Sequence, residues 1–140
     1  MPVPATFRID ADVAQLKDVR RFVRDVAPGL GADEASVRDL VQAVDEWVTN
    51  VIVHGYRGLG GPIEVELERA GDEIVARVRD AAPAFDPDLP LERRPAGKMG
   101  IHLIRELCDR FEHRVPAGGG NENAIVRSTT TAPSRTGGNA

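Results

Sequence analysis

From Val37 to Tyr56 the chain carries an apolar repeat that only a helix can bury on one side. At roughly 100° per residue, Val37, Leu40, Val41, Val44, Trp47, Val48, Val51 and Ile52 fall on one broad arc, and that arc faces a core. Glu46, Asn50 and His54 follow one another at i, i+4 spacing and make a polar stripe along one border of the arc, while Arg38, Gln42, Asp45 and Thr49 point outward. A stripe at the border of a buried arc looks into a cleft. The predicted helix runs from a cap at Asp33 or Ser36 to Gly55 and is the longest element of the chain.

The remaining pattern supplies a sheet for this helix to cover. Residues 5–9 alternate as a strand, and Asp10 or Asp12 caps a helix bearing Val13, Leu16, Val19, Phe22, Val23 and Val26, stopped by Pro28-Gly29. Residues 63–67 and 74–79 read as a hairpin. Residues 80–100 lose all periodicity in a run of prolines and glycines, and loops of that length are usually functional or disordered. Helical spacing resumes over 99–111, and 112–115 with 124–129 close the chain as a hairpin around Gly118-Gly119-Gly120-Asn121. This order predicts an α/β (α+β) two-layer sandwich, a mixed, mostly antiparallel sheet with the helices on one face. One domain spans 1–132, followed by a disordered tail at 133–140.

Charge and cysteine content narrow the function classes. Lys plus Arg is 18 against 22 Asp plus Glu, a net charge of −4, which gives no general drive toward nucleic acid or anionic membrane. The single Cys108 excludes an intramolecular disulfide and reads as a small buried hydrophobe. Without a leader or a long apolar run, the expected compartment is the cytoplasm.

Three places carry candidate chemistry. Glu46 and Asn50 offer a general base and a hard oxygen donor about one helical turn apart, an arrangement suited to proton transfer beside Mg²⁺ held mainly by phosphates and water. Asp80 ends a strand and opens Asp80-Ala81-Ala82-Pro83-Ala84-Phe85-Asp86-Pro87, where a carboxylate could accept from an exocyclic amine. Gly97-Lys98-Met99-Gly100-Ile101-His102 leads into a helix N-terminus, an anion site with Lys98 as an added cation, but not a Walker loop. Taken singly, each has a plain structural explanation: a solvated Glu–Asn pair, a turn acid over a core phenylalanine, and a glycine-permitted loop. Arg93 and Arg94 could reach phosphates or simply be solvated, and His54 reads as a packing or hydrogen-bonding residue.

In this order the three signals resemble the nucleotide site of the GHKL ATPase and kinase superfamily, and within it the short anti-sigma factor serine/threonine kinases. Glu46-Trp47-Val48-Thr49-Asn50 with His54-Gly55-Tyr56 is similar to that family's N box, Asp80 to Pro87 to its adenine-binding box, and Gly97 to Asp109 to its second glycine box. The resemblance implies a GHKL (Bergerat) fold that binds ATP and Mg²⁺, with Glu46 as catalytic base and Asn50 on the metal. The nucleotide would be held by Asn50, Asp80, Ala82, Phe85, Gly97, Lys98, Met99, Gly100 and Ile101, with a lid over 88–97. Asn123 stands near a position where relatives place a threonine that meets adenine through water.

It further implies a kinase that binds a sigma factor and phosphorylates a small antagonist protein, in a family whose members are commonly homodimeric. Two departures matter: Ala82 replaces a common glycine, which would tighten the adenine pocket, and Lys98 replaces another. They keep open a non-catalytic, ATP-dependent protein-binding switch. A plain interaction domain without a nucleotide site is the third reading.

Overall fold

The computed structural model describes residues 3–84 and 98–131, giving the backbone alone for 98–100. Five strands, β1 (Ala5–Asp10), β2 (Pro62–Ala70), β3 (Glu73–Asp80), β4 (Arg110–Arg114) and β5 (Asn121–Ser128), form one sheet in the order β1-β2-β3-β5-β4. All four pairings are antiparallel, a more uniform sheet than the mixed one expected. Helices α1 (Leu16–Val26), α2 (Glu34–Asn50) and α3 (Lys98–Leu107) complete the fold, with α2 packed between α1 and α3 and against β3 and β5. The segment 85–97, with the expected lid over 88–97, and the tail beyond Thr131 lie outside the described residues.

Alternation decides which face of the sheet is covered. Ile9, Ile63, Val65, Leu67, Ile74, Ala76, Val78 and Ile125 are buried and meet Leu40, Ala43, Val44, Trp47 and Val48 of α2. Phe7 stacks on Phe22 of α1, with ring centroids 5.3 Å apart. Asp33 proves to be the cap of α2: its Oδ1 accepts from the Ser36 N–H at 2.8 Å, while Ser36 is buried in the first turn. Asp12 caps a 3₁₀ turn, Val13–Gln15, that precedes α1, so Val13 is exposed instead of facing the core. The α-helical part of α1 stops at Val26, and Pro28 lies in the 3₁₀ turn that follows.

The other face of the sheet is a field of ion pairs. One row crosses all five strands through direct register partners: Arg8 to Glu64 (3.4 Å), Glu64 to Arg79 (3.2 Å), Arg79 to Glu122 (2.7 Å) and Glu122 to Arg114 (2.6 Å). Signs alternate along it, the arrangement in which directly opposed cross-strand neighbours attract.

Two expectations shift. Helix α3 ends at Leu107, because the Asp109 N–H donates to Val126 O at 2.7 Å and starts β4; Phe111 therefore reaches Trp47 from a strand, edge-on at 5.2 Å. Asp45 does not point to solvent but accepts from Arg20 of α1 at 2.9 Å.

Candidate functional site

At its end α2 changes pitch. Thr49 donates its hydroxyl to Asp45 O (2.7 Å) and Asn50 donates Nδ2 to Glu46 O (3.0 Å), and from Val51 to Gly55 the chain continues as a π-helical turn. Side chains that bond back to the i−4 carbonyl compete with the helical ladder, and single π turns recur at functional sites. A carbonyl only accepts, so the nitrogen of the Asn50 amide must face Glu46 O, which leaves Oδ1 turned away as a hard oxygen ligand. Glu46 and Asn50 are both half-buried, in keeping with the border stripe.

Asp80 is the last residue of β3 and is half-buried. Its Oδ1 accepts from the Ala82 N–H (2.9 Å) and from Asn121 Nδ2 (2.9 Å). Burial pushes its carboxyl above the ordinary value, against the opposing pull of Asn121, the Ala82 N–H and the nearby His113. Gly120, at φ +78°, packs on the Asp80 carbonyl so closely that a Cβ would collide with it.

The two motifs meet at one corner. Tyr56, just past the π turn, donates its hydroxyl to Pro62 O (2.7 Å) and accepts from the Ala81 N–H (2.7 Å). Gly55 lies against Ala82, where a Cβ on the glycine would come within 3.3 Å of the alanine methyl. Ala82 is itself buried in the core, with its methyl on the side of Gly55.

On β5, Asn121, Asn123 and Ile125 share the helix-side face. Asn121 lies opposite Asp80; Asn123 has Val78 on one side and His113 on the other. Asn123 is fully buried, yet among the described residues neither its amide nitrogen nor its oxygen has a hydrogen-bond partner. Buried amides are nearly always satisfied, so this one, beside Asp80 in the sheet, is available to a ligand or an ordered water. Ile101 is buried in the core, which leaves only its backbone for a ligand. Lys98, Met99 and Gly100 form the first turn of α3, whose N–H groups lack intrahelical partners, while Phe85 and Gly97 lie outside the described residues.

Asn121 is the residue that sequence reasoning missed; Tyr56 stands in the N-box motif, where no role was assigned to it. Asn121 follows three glycines and looks like a turn residue; the only signal was its period-two relation to Asn123 and Ile125. Among the described residues no group of three or more His, Cys, Asp and Glu could hold a metal by itself. The outward-facing Asn50 Oδ1 fits Mg²⁺, which often takes one or two protein ligands and fills its shell with phosphate and water. Nor, among the described residues, is any helix long and apolar enough to cross a membrane.

A family model described as the histidine kinase-like ATPase domain matches residues 9–126. The chain is similar to proteins named serine-protein kinase RsbW. It is 29% identical to the one from Oceanobacillus iheyensis, over 64% of this chain and 65% of that protein. It is also 29% identical to the one from Halalkalibacterium halodurans, over 71% and 68%. The chain thus spans about two-thirds of the length of these curated relatives. Its fold is like that in a crystal structure of the RsbU and RsbW domains of Rv1364c from Mycobacterium tuberculosis, with a TM-score of 0.66 and 22% identity, covering 91% of this chain and 32% of that one.

Proposed function

The chain belongs to the histidine kinase-like ATPase domain family, and from that membership we propose that it is an ATP-dependent protein serine/threonine kinase acting as an anti-sigma regulatory factor. Its phosphoryl acceptor is a small antagonist protein, its second partner a sigma factor and its compartment the cytoplasm; homodimers are common in the family it resembles. The observation that supports this most is the common corner, where Tyr56 and the Gly55–Ala82 contact join the helix bearing Glu46 and Asn50 to the strand end bearing Asp80.

In this reading Asp80 accepts from the exocyclic amine of adenine through Oδ2, since Oδ1 is already occupied by two donors. Asn123, whose amide has no partner among the described residues, offers it to the same ring, directly or through water. The N–H groups that open α3, with Lys98, receive phosphate oxygens. Asn50 Oδ1 would be the protein ligand to Mg²⁺, which would neutralise phosphate charge. Glu46 takes the proton from the acceptor Ser or Thr hydroxyl as its oxygen attacks the γ-phosphorus, and ADP leaves. Phosphoryl transfer depends mainly on positioning and charge, so a site made of one base, one amide and a helix terminus is sufficient in kind.

The test is incubation with γ-labelled ATP and candidate antagonists, comparing the parent with Glu46→Ala. Positioned proton transfer contributes about 10²–10⁴ in rate, so Glu46→Ala should lose transfer by about that factor while nucleotide affinity stays nearly unchanged. ATP binding without label on any Ser or Thr would favour the binding-only switch. No binding at millimolar nucleotide would sink both.

A further inference from the structure

Asn121 does more than complete a strand. It is 3% exposed, directly opposite Asp80 in the β3–β5 register, and its Nδ2 lies 2.9 Å from Asp80 Oδ1, 3.1 Å from Pro83 O and 3.3 Å from Ala82 O. One amide nitrogen with two hydrogens therefore grips both the carboxylate and the backbone that leaves the sheet after it. The Ala82 N–H fills the same carboxylate oxygen at 2.9 Å. With Oδ1 held by these two donors, Oδ2 is the Asp80 oxygen without a hydrogen bond among the described residues.

We propose that Asn121 is a positioning residue for nucleobase recognition: by occupying Asp80 Oδ1 it fixes the carboxylate and aims Oδ2 at an amine-bearing purine. This rests on the reading that Asp80 meets the base. An N–H donor on the base needs an acceptor, and a neutral carboxyl could present a hydrogen instead. Donors aimed at the charged form favour it over the neutral one. Among the described residues the other titratable groups near Asp80 are His113, on β4, which acts in the same direction as the Asn121 donor, and Tyr56, whose hydroxyl accepts from the Ala81 N–H and whose own pKa is raised by burial and by the Asp80 charge.

The experiment measures affinity for ATP and for purine riboside triphosphate, which lacks the exocyclic amine, across pH, in the parent, Asn121→Leu, Asn121→Ala and Asp80→Asn. Leu keeps the volume of the amide; Ala serves if the larger side chain disturbs folding, and a melt checks each variant. A lost hydrogen bond to a charged group changes affinity by roughly tenfold or more, so the Asn121 variants should lose the parent's preference for ATP by about that factor. The acid limb of their ATP affinity should move to higher pH, because Asp80 without the Asn121 donor protonates more readily. A merely structural role would weaken both nucleotides equally and leave the limb in place, and that result overturns the inference. If Asp80→Asn leaves the preference intact, the reading of Asp80 itself has failed. If Asp80→Asn abolishes the preference and the Asn121 variants retain it, only the role of Asn121 has failed.

Discussion

Replacing Tyr56 by Phe removes one oxygen atom and tests whether the corner between α2 and Asp80 is held by that atom. The hydroxyl makes two hydrogen bonds of 2.7 Å, to Pro62 O and from the Ala81 N–H, and the residue is 8% exposed. A net intramolecular hydrogen bond is worth about 0.5–1.5 kcal/mol, so two give about 2 kcal/mol at the centre of the range. Pro62 and Ala81 are themselves exposed, and water can re-satisfy part of what the ring releases, which lowers the expectation to about 1–2 kcal/mol. For a domain of this size that is a fall in Tm of roughly 3–10 °C. The ring stays in place, since Phe fills the same space against Gly61, where any Cβ would strike the ring. Circular dichroism melts at pH 7 read the stability, and ATP titration reads whether a looser Ala81 backbone weakens Asp80. A variant that melts with the parent, within about 1 °C on the same scale, would show that the hydroxyl bonds contribute nothing and that apolar packing alone makes the corner.

Other outcomes follow from single side chains. Asn50→Ala should weaken Mg²⁺-dependent ATP binding as well as transfer, unlike Glu46→Ala, and titration with and without Mg²⁺ separates the two. Leu40→Ala, at a fully buried position of α2, should cost about 2–5 kcal/mol in urea unfolding. Gly120→Ala forces a side chain onto a backbone at φ +78° and into the Asp80 carbonyl, so it should lower Tm and ATP affinity together. Glu122 concerns acid stability: partial burial raises its pKa, but hydrogen bonds from Arg79 and Arg114 outweigh that and hold it below the ordinary 4.5. Its folded value is the lower one, so its stabilisation is present above the unfolded pKa and fades as pH falls through the folded one. Glu122→Gln should be less stable than the parent at pH 7 and show a flatter loss below about pH 4.5, seen in urea melts at several pH values.

Periodicity revealed what depends on a single element. The arc from Val37 to Ile52, the alternation of β2 and β3, and the border position of Glu46 and Asn50 all follow from side-chain spacing, and they stand in the folded chain as expected. What escaped depends on partners far along the chain. Phe111 continues the helical spacing of α3, yet the bond from Asp109 to Val126 turns the chain into β4 before it. The π turn after Asn50 keeps the apolar arc almost unbroken, so an apolar count does not register it. Asn121 becomes part of the site only through its register with Asp80. The nearness of Ala82 to Gly55 likewise joins residues far apart in sequence.

The alternating row of charges has a bearing on assembly. It begins at Arg8 on one edge strand and ends at Arg114 on the other, both well exposed. A sheet edge is a template for whatever strand arrives next. A second copy continuing the row would bring arginine against arginine at either edge, so growth of the sheet by self-addition in this register is opposed by like charge. A strand of another protein that offers Glu or Asp at the matching place meets no such barrier, which makes the two edges discriminating by sign: closed to their own kind and open to an acidic stranger.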